Sequence, residues 1–224
     1  LDGTQTHQLV LEGLFGPVEK VVTTKELIDK KTLSNLKIKC IILRHSNIRN
    51  KMTYAEELEY IVTNEKRIDF VVNLLHHLKG NTLCLFQLVE KHGKILNDRM
   101  KGKDNVYFVY GGTDTSEREK IRGLVEKQTN STTIASYGTF STGINIRNIH
   151  NIVLASPSKS KIRVLQSIGR GLRTSSTKDS VLIYDIADDI SYNERRNFTL
   201  NHFTERLNIY NEEQFDYDIS KVKL

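Results

Sequence analysis

Gln166, Arg170 and Arg173 stand four and then three residues apart, so on a helix they share one face. Two guanidiniums with a carboxamide one turn earlier suit a polyphosphate, because a planar donor fork takes phosphate oxygens in pairs. Gly169 and Gly171 interrupt the same stretch. Each costs a helix about 1 kcal/mol relative to alanine, which is reasonable where a ligand or another backbone comes close. The competing reading, a solvated basic helix face, does not explain the two glycines.

Two further runs could meet a ligand. Residues 135–145, ASYGTFSTGIN, offer Ser136, Ser141, Thr142 and free backbone amides after a strand-like run, a combination able to hold phosphate or ribose oxygens. Residues 86–94, FQLVEKHGK, pass from a strand end into a helix start. Their Gln87, Lys91, His92 and Lys94 could touch a nucleic-acid backbone or simply form a solvated loop.

Charge supports a polyanionic partner. The 224 residues carry a net charge of +6, and from 158 to 173 the cations Lys159, Lys161, Arg163, Arg170 and Arg173 appear with no carboxylate among them. Such a one-signed patch favours polyanions more specifically than net charge does. No apolar run approaches the roughly 18 residues that span a bilayer, so a soluble cytoplasmic protein with no membrane partner is expected. Cys40 and Cys84 lie far apart in apolar runs and are expected to be buried free thiols. With no Cys/His cluster at ligand spacing, no structural metal site is expected.

The elements that must position these residues alternate. Thr23 with Glu26 resembles a capping box before a short helix near 24–30, and Leu36–Leu43 reads as a strand. Thr53 with Glu56 opens a helix to about Val62; Asn64 caps another, carried by Ile68, Val71, Val72, Leu75 and Leu78 until Gly80. Strands are expected at 82–86, 106–110, 132–135, 151–155 and 180–186, with helices near 90–101, 115–127 and 161–172 and a short crossover near 138–148. This alternation predicts an α/β fold, a parallel sheet with helices on both faces. Ligands of such sheets bind beyond the carboxyl ends of the strands, where the three candidate runs fall. Three parts are expected: a lead-in over 1–50, the main lobe over 51–190, and a helical extension over 191–224. In the extension, Arg195, Arg196 and Arg206 either continue a nucleic-acid track or solubilise a helix packed through Phe198, Phe203 and Leu207; the second is preferred.

In this order the runs resemble the second, RecA-like lobe of superfamily 2 helicases. LCLF (83–86) looks like motif IV, residues 135–155 are similar to motif V, and QSIGRGLR (166–173) matches motif VI, Gln-x-x-Gly-Arg-x-x-Arg. The segment VYGGTDTSEREKIRGL with Arg118 takes the place of the family's Gly…Arg stretch. Within the superfamily, HGKIL, ASYGTFSTGI, NIVLASPSKSKIRVLQSIGR and YDIADD look like the UvsW-type recombination helicases of T-even-like phages, which remodel forks, D-loops, Holliday junctions and RNA–DNA hybrids. The lead-in resembles the loop leaving the first motor lobe.

The resemblance implies ATP and Mg2+ held mainly by a first RecA-like lobe, since neither G-x-x-x-x-G-K-[ST] nor D-E-x-D/H occurs here. It implies Arg170 and Arg173 as arginine fingers, with Gln166, Gly169, Gly143 and Asn145 at the nucleotide. Gln87, Lys91, His92, Arg118, Ser136, Ser141, Thr142, Lys159 and Lys161 are implied at the DNA. This chain alone is then expected to be inactive. The other reading is a nucleic-acid-binding or partner-docking module of motor-like fold with no nucleotide role.

Overall fold

The computed structural model describes residues 13, 35–46, 48, 50–142, 146, 148–157 and 180–224, the side chains of 140–142 excepted. Seven strands form one sheet: β1 (Asn35–Arg44), β2 (Thr82–Phe86), β3 (Val106–Val109), β4 (Thr132–Ser136), β5 (Asn151–Leu154), β6 (Ser180–Asp189) and β7 (Asp216–Lys223). Their order is β3-β4-β2-β5-β6-β1-β7, and every pairing is parallel. The fold is parallel α/β, as the alternation predicts, and RecA-like, as the resemblance implies.

The helices form where the caps place them. Helix α1 (Tyr54–Thr63) starts at a complete Thr53/Glu56 capping box, and α2 (Glu65–His77) starts where the Arg67 amide donates to Asn64 Oδ1 at 3.0 Å. Beyond α2 the chain turns through Gly80 at φ +88°, a left-handed conformation that glycine adopts without cost. The helix expected near 90–101 is two elements: a π-helical turn at Val89–Gly93, then α3 (Lys94–Arg99). Helix α4 (Thr115–Lys127), short α5 (Tyr137–Thr142) and α6 (Phe198–Glu212) complete the described set. The expected helices near 24–30 and 161–172 lie outside the described residues.

Alternation along the strands builds two cores. Ile38, Cys40, Leu83, Leu85, Ile152, Leu154 and Ile183 face α4 and α6, meeting Ile121, Val125, Phe203 and Tyr210. Ile41, Leu43, Cys84, Phe86, Val153 and Ile186 face α2 and α3, meeting Ile68, Val71, Leu75 and Leu96. Cys40 and Cys84 are free and buried, and they belong to opposite faces of the sheet, so they cannot pair. Burial pushes the Cys84 thiol up to about 12.

Both ends of the chain contribute strands. β1 comes from the stretch read as a lead-in, yet it lies between β6 and β7, so that part of 1–50 belongs to the sheet. The mixed-charge tail, read as helical extension, supplies β7, which pairs with β1 from Lys37↔Asp216 to Arg44↔Lys223. As an edge strand β7 is mostly exposed, and charged residues there discourage pairing with another chain.

α6 also departs from expectation. Phe198 is 42% exposed, while Arg206 is 2% exposed. The buried Arg206 neither continues a nucleic-acid track nor solubilises the helix. It donates twice to Asp185 of β6, at 2.8 Å each, and Tyr210 Oη donates to the same carboxylate at 2.8 Å. Removing one partner of such a pair leaves a buried charge uncompensated, at about 3–5 kcal/mol. Arg206→Met should therefore lower urea-unfolding stability by roughly that amount. Adding Asp185→Leu should recover most of the loss, and failure to recover it would show that the pair does not anchor α6.

Candidate functional site

β2 is flanked by β4 and β5, so three carboxyl ends lie side by side. Phe86 is in register with Ser136, and the Ala155 amide donates to the Leu85 carbonyl at 3.0 Å. The first two candidate runs, 86–94 and 135–145, therefore leave the sheet as neighbours. β5 ends beside them at Leu154, and the basic segment 158–173 that follows in the sequence lies outside the described residues.

The residues just before that segment are held on several sides. Arg67 of α2, wholly buried, donates through Nη2 to the Ala155 carbonyl at 2.8 Å. Its Nε donates to both oxygens of Asp188 at 2.8 and 3.0 Å, and His45 Nε2 lies 2.9 Å from the same carboxylate. Ser156 Oγ accepts from the Gln87 amide at 3.0 Å and shares a 2.9 Å hydrogen bond with His92 Nδ1. Tyr137 Oη donates to the Ser156 carbonyl at 3.2 Å. Ends of β2, β4, β5 and β6 are thus joined in one polar cluster beneath the sheet's carboxyl edge.

The π turn makes this possible locally. The Gly93 amide bonds the Leu88 carbonyl at 2.9 Å, a five-residue step that turns His92 inward. A β-carbon on Gly93 would lie 2.4 Å from the Phe86 ring, so glycine is required for the turn to sit against the strand. Single π turns of this kind recur at functional sites.

Electrostatics follow from burial. Burial acts to raise the Asp188 carboxyl, but Arg67 and His45 outweigh it and hold it below the usual aspartate range. Burial, reinforced by the Arg67 charge, lowers His92 to about 3, against an opposing pull from Asp188. His92 is therefore neutral near pH 7. Arg67 Nη1 and His92 Nε2 are buried with no hydrogen-bond partner among the described residues. Each such atom costs about 1–3 kcal/mol, so the cluster depends on the bonds it does make.

The sequence candidates fall as follows. His92 is fully buried, so in this structure it holds Ser156 rather than facing a nucleic acid. Lys91 is exposed and paired with Glu59 at 2.5 Å, and Lys94 pairs with Glu90 at 2.8 Å. Gln87 is exposed. Arg118 ties down its own glycine loop, donating to the carbonyls of Thr113, Gly111 and Tyr110. Ser136 is buried and bonds Thr139 Oγ1 at 2.8 Å at the start of α5. Ser141 and Thr142 lie in α5, with side chains outside the description. Gly143, Asn145, Lys159, Lys161, Gln166, Gly169, Arg170 and Arg173 lie outside the described residues. Among the described residues no His/Cys/Asp/Glu group is arranged to hold a metal ion, and no helix is long and apolar enough to cross a membrane.

Arg67, Asp188, His45 and Ser156 were not singled out by sequence reasoning. One signal was present: Arg67 falls on the same helical stripe as Ile68, Val71 and Leu75, where a charge must find a partner. Asp185 and Asp188 likewise interrupt an apolar strand.

The pH dependence has a definite sign. In the unfolded chain His92 takes a proton near pH 6.5, whereas in the fold it does so only near 3. Its contribution is complete above about 6.5 and lost as pH falls towards 3, by up to about 1.4 kcal/mol per pH unit. Asp188, held low, adds a further loss once pH drops below its ordinary range of about 4. Urea-unfolding midpoints measured from pH 7 to 4 should fall in the wild type and fall distinctly less in His92→Leu; parallel curves would exclude His92 as the source.

The comparisons with known proteins agree with this geometry. Residues 66–175 match the helicase conserved C-terminal domain. The chain is 36% identical over 95% of its length to the ATP-dependent DNA helicase uvsW of Enterobacteria phage T4, of which it spans 46%. A crystal structure of T4 UvsW superposes with a TM-score of 0.73 at 34% identity, over 85% of this chain and 42% of that one. The ATP-dependent Type ISP restriction-modification enzyme LlaBIII, solved bound to DNA, shares the fold at a TM-score of 0.64 and 13% identity, over 95% of this chain and 17% of that one. The parallel sheet, the order of the motifs and these matches agree that residues 66–175 are those of a helicase conserved C-terminal domain.

Proposed function

We propose that this chain is the second motor lobe of an ATP-dependent DNA helicase or translocase, one that remodels branched DNA in recombination and repair. Forks, D-loops, Holliday junctions and RNA–DNA hybrids are the substrate class. The observation that carries this reading is the buried cluster at Ala155–Ser156: α2, the π turn, α5 and β6 all fix the point from which the basic segment 158–173 departs. Rigid support is what a group that must meet a phosphate in one geometry requires.

In this reading Arg170 and Arg173 donate to the γ-phosphate oxygens and Gln166 orients them, with Gly169 allowing close approach. Gly143 and Asn145 link the nucleotide to strand movement, while Ser141, Thr142, Lys159 and Lys161 face the DNA backbone. Two guanidiniums, which carry donors and no acceptor, fit phosphate oxygens and repel a divalent cation. Magnesium coordination and the phosphate loop therefore fall to a first RecA-like lobe. When bound there, ATP supplies the free energy for strand movement. The residues of this chain complete the site and are inactive without that lobe.

The test uses a protein carrying this chain together with a Walker-bearing lobe. Arg170→Ala should lower DNA-stimulated ATP hydrolysis by roughly 10³–10⁵-fold, with DNA affinity largely retained, and this chain alone should show no hydrolysis. Normal turnover by the variant would refute the finger assignment. Salt-dependent DNA binding that ATP never alters would instead favour a docking module.

A further inference from the structure

Beyond β6 lies a cavity of about 310 Å³ whose lining, among the described residues, includes none from the helicase motifs. Its wall includes Lys51, Arg195 and Arg196 together with Met52, Tyr192 and Phe198. From these we infer that it is a second nucleic-acid subsite, taking one nucleotide of a single strand with its phosphate against the cations and its base against the aromatic rings.

Three observations on the wall support this. First, its available charge among the described residues is all of one sign. Glu57, the carboxylate in the wall, is 1% exposed. It accepts from the amides of Phe198 and Thr199 at 2.9 and 2.5 Å, from Thr199 Oγ1 at 2.5 Å and from Asn197 Nδ2 at 2.8 Å. That carboxylate is occupied in capping α6 and cannot neutralise the rim. Lys51 and Arg195 are exposed, and Arg196 spends one nitrogen on Thr204 Oγ1 at 3.0 Å, leaving its other donors.

Second, aromatic surface is left in water beside those cations. Phe198 is 42% and Tyr54 40% exposed, with their rings set edge to face at 6.2 Å. Cations interleaved with exposed rings form the pattern that binds single strands: the cations follow the phosphates and the rings stack with bases of any sequence. An acidic peptide would use the charge but not the flat aromatic faces. The volume lies at the lower end of the range for small-molecule sites, which suits one nucleotide.

Third, the backbone is strained where it presents two wall residues. Asn193 and Glu194 have φ of +46° and +64°, between Tyr192 and Arg195, whose amides and carbonyls bond each other at 3.0 and 3.1 Å. Two successive positive φ values define a turn that ordinarily selects glycine or asparagine. Glutamate there is strained, and strain of this kind is held where side chains must be aimed. The turn sets Tyr192 and Arg195 side by side on the wall.

The experiment titrates the 224-residue chain with fluorescein-labelled oligo-dT across a salt series, with thermal melts on each variant. Lys51→Ala and Arg195→Ala should each weaken binding several-fold and reduce the salt slope by about 0.7 for each phosphate no longer neutralised. Tyr192→Ala should weaken it at least about fivefold, as expected when one stacked base is released, while Tyr192→Phe binds normally. Oligonucleotide carrying 5-iodo-deoxyuridine should photocrosslink to the peptide containing Tyr192. If Tyr192→Ala fails to fold, Lys51→Ala and the crosslink decide, because Lys51 lies outside every helix and strand. Wild-type binding by the cation variants with crosslinks confined elsewhere would overturn the inference and leave the motor-lobe reading standing. Displacement by a poly-glutamate peptide but not by thymidine monophosphate would overturn it in favour of an acidic protein partner.

Discussion

Strand β6 carries two carboxylates into the interior, and the architecture is organised around neutralising them. Asp185 points to one face of the sheet and Asp188 to the other, three residues apart on an alternating strand. A lone buried carboxylate is costly enough that it must find a cation. Arg206 of α6 meets the first and Arg67 of α2 meets the second. Apolar packing alone would tolerate small shifts of either helix, but a two-point guanidinium contact has a narrow geometry. The helices on the two faces are thereby registered to the same strand.

One of these pairs extends into the candidate site. Arg67 neutralises Asp188 and also holds the Ala155 carbonyl, while His92, kept neutral by burial, holds Ser156. Stability and site geometry thus share side chains: what anchors α2 also fixes where β5 ends. The π turn is the local adjustment that lets His92 reach inward, and Gly93 is what lets that turn lie against Phe86. The same strand serves the cavity beyond it, since the Asp188 carbonyl accepts from Asn197, the residue that opens α6.

Much of the fold was legible because it rests on local rules. The capping residues Thr53 and Asn64 marked two helix starts, and β2 and α4 occupy the residues that periodicity assigned to them. β7 was missed although a signal was present: within Asp216–Lys223 polar residues alternate with Tyr217 and Ile219, a strand period, and the stretch becomes a strand by pairing with β1. Phe198 was expected inside and Arg206 outside, and the reverse holds because a partner carboxylate outweighs hydrophobicity in choosing the buried face. Lys91 and Arg118, read as ligand contacts, have protein partners at hand that spacing does not show.

The sequence by itself determined most of the described secondary elements, the parallel α/β class and the order of the motifs, because periodicity, capping and motif spacing are properties of short stretches. It also placed the candidate arginines in one basic run free of carboxylates. Which charges are buried, which are consumed by neighbours and which stay available was decided by tertiary structure alone. Those outcomes depend on residues more than a hundred positions apart, such as Arg67 with Asp188 and Glu57 with Asn197. A charge is placed by its partner and its exposure to water, and neither exists until the sheet has brought distant strands together.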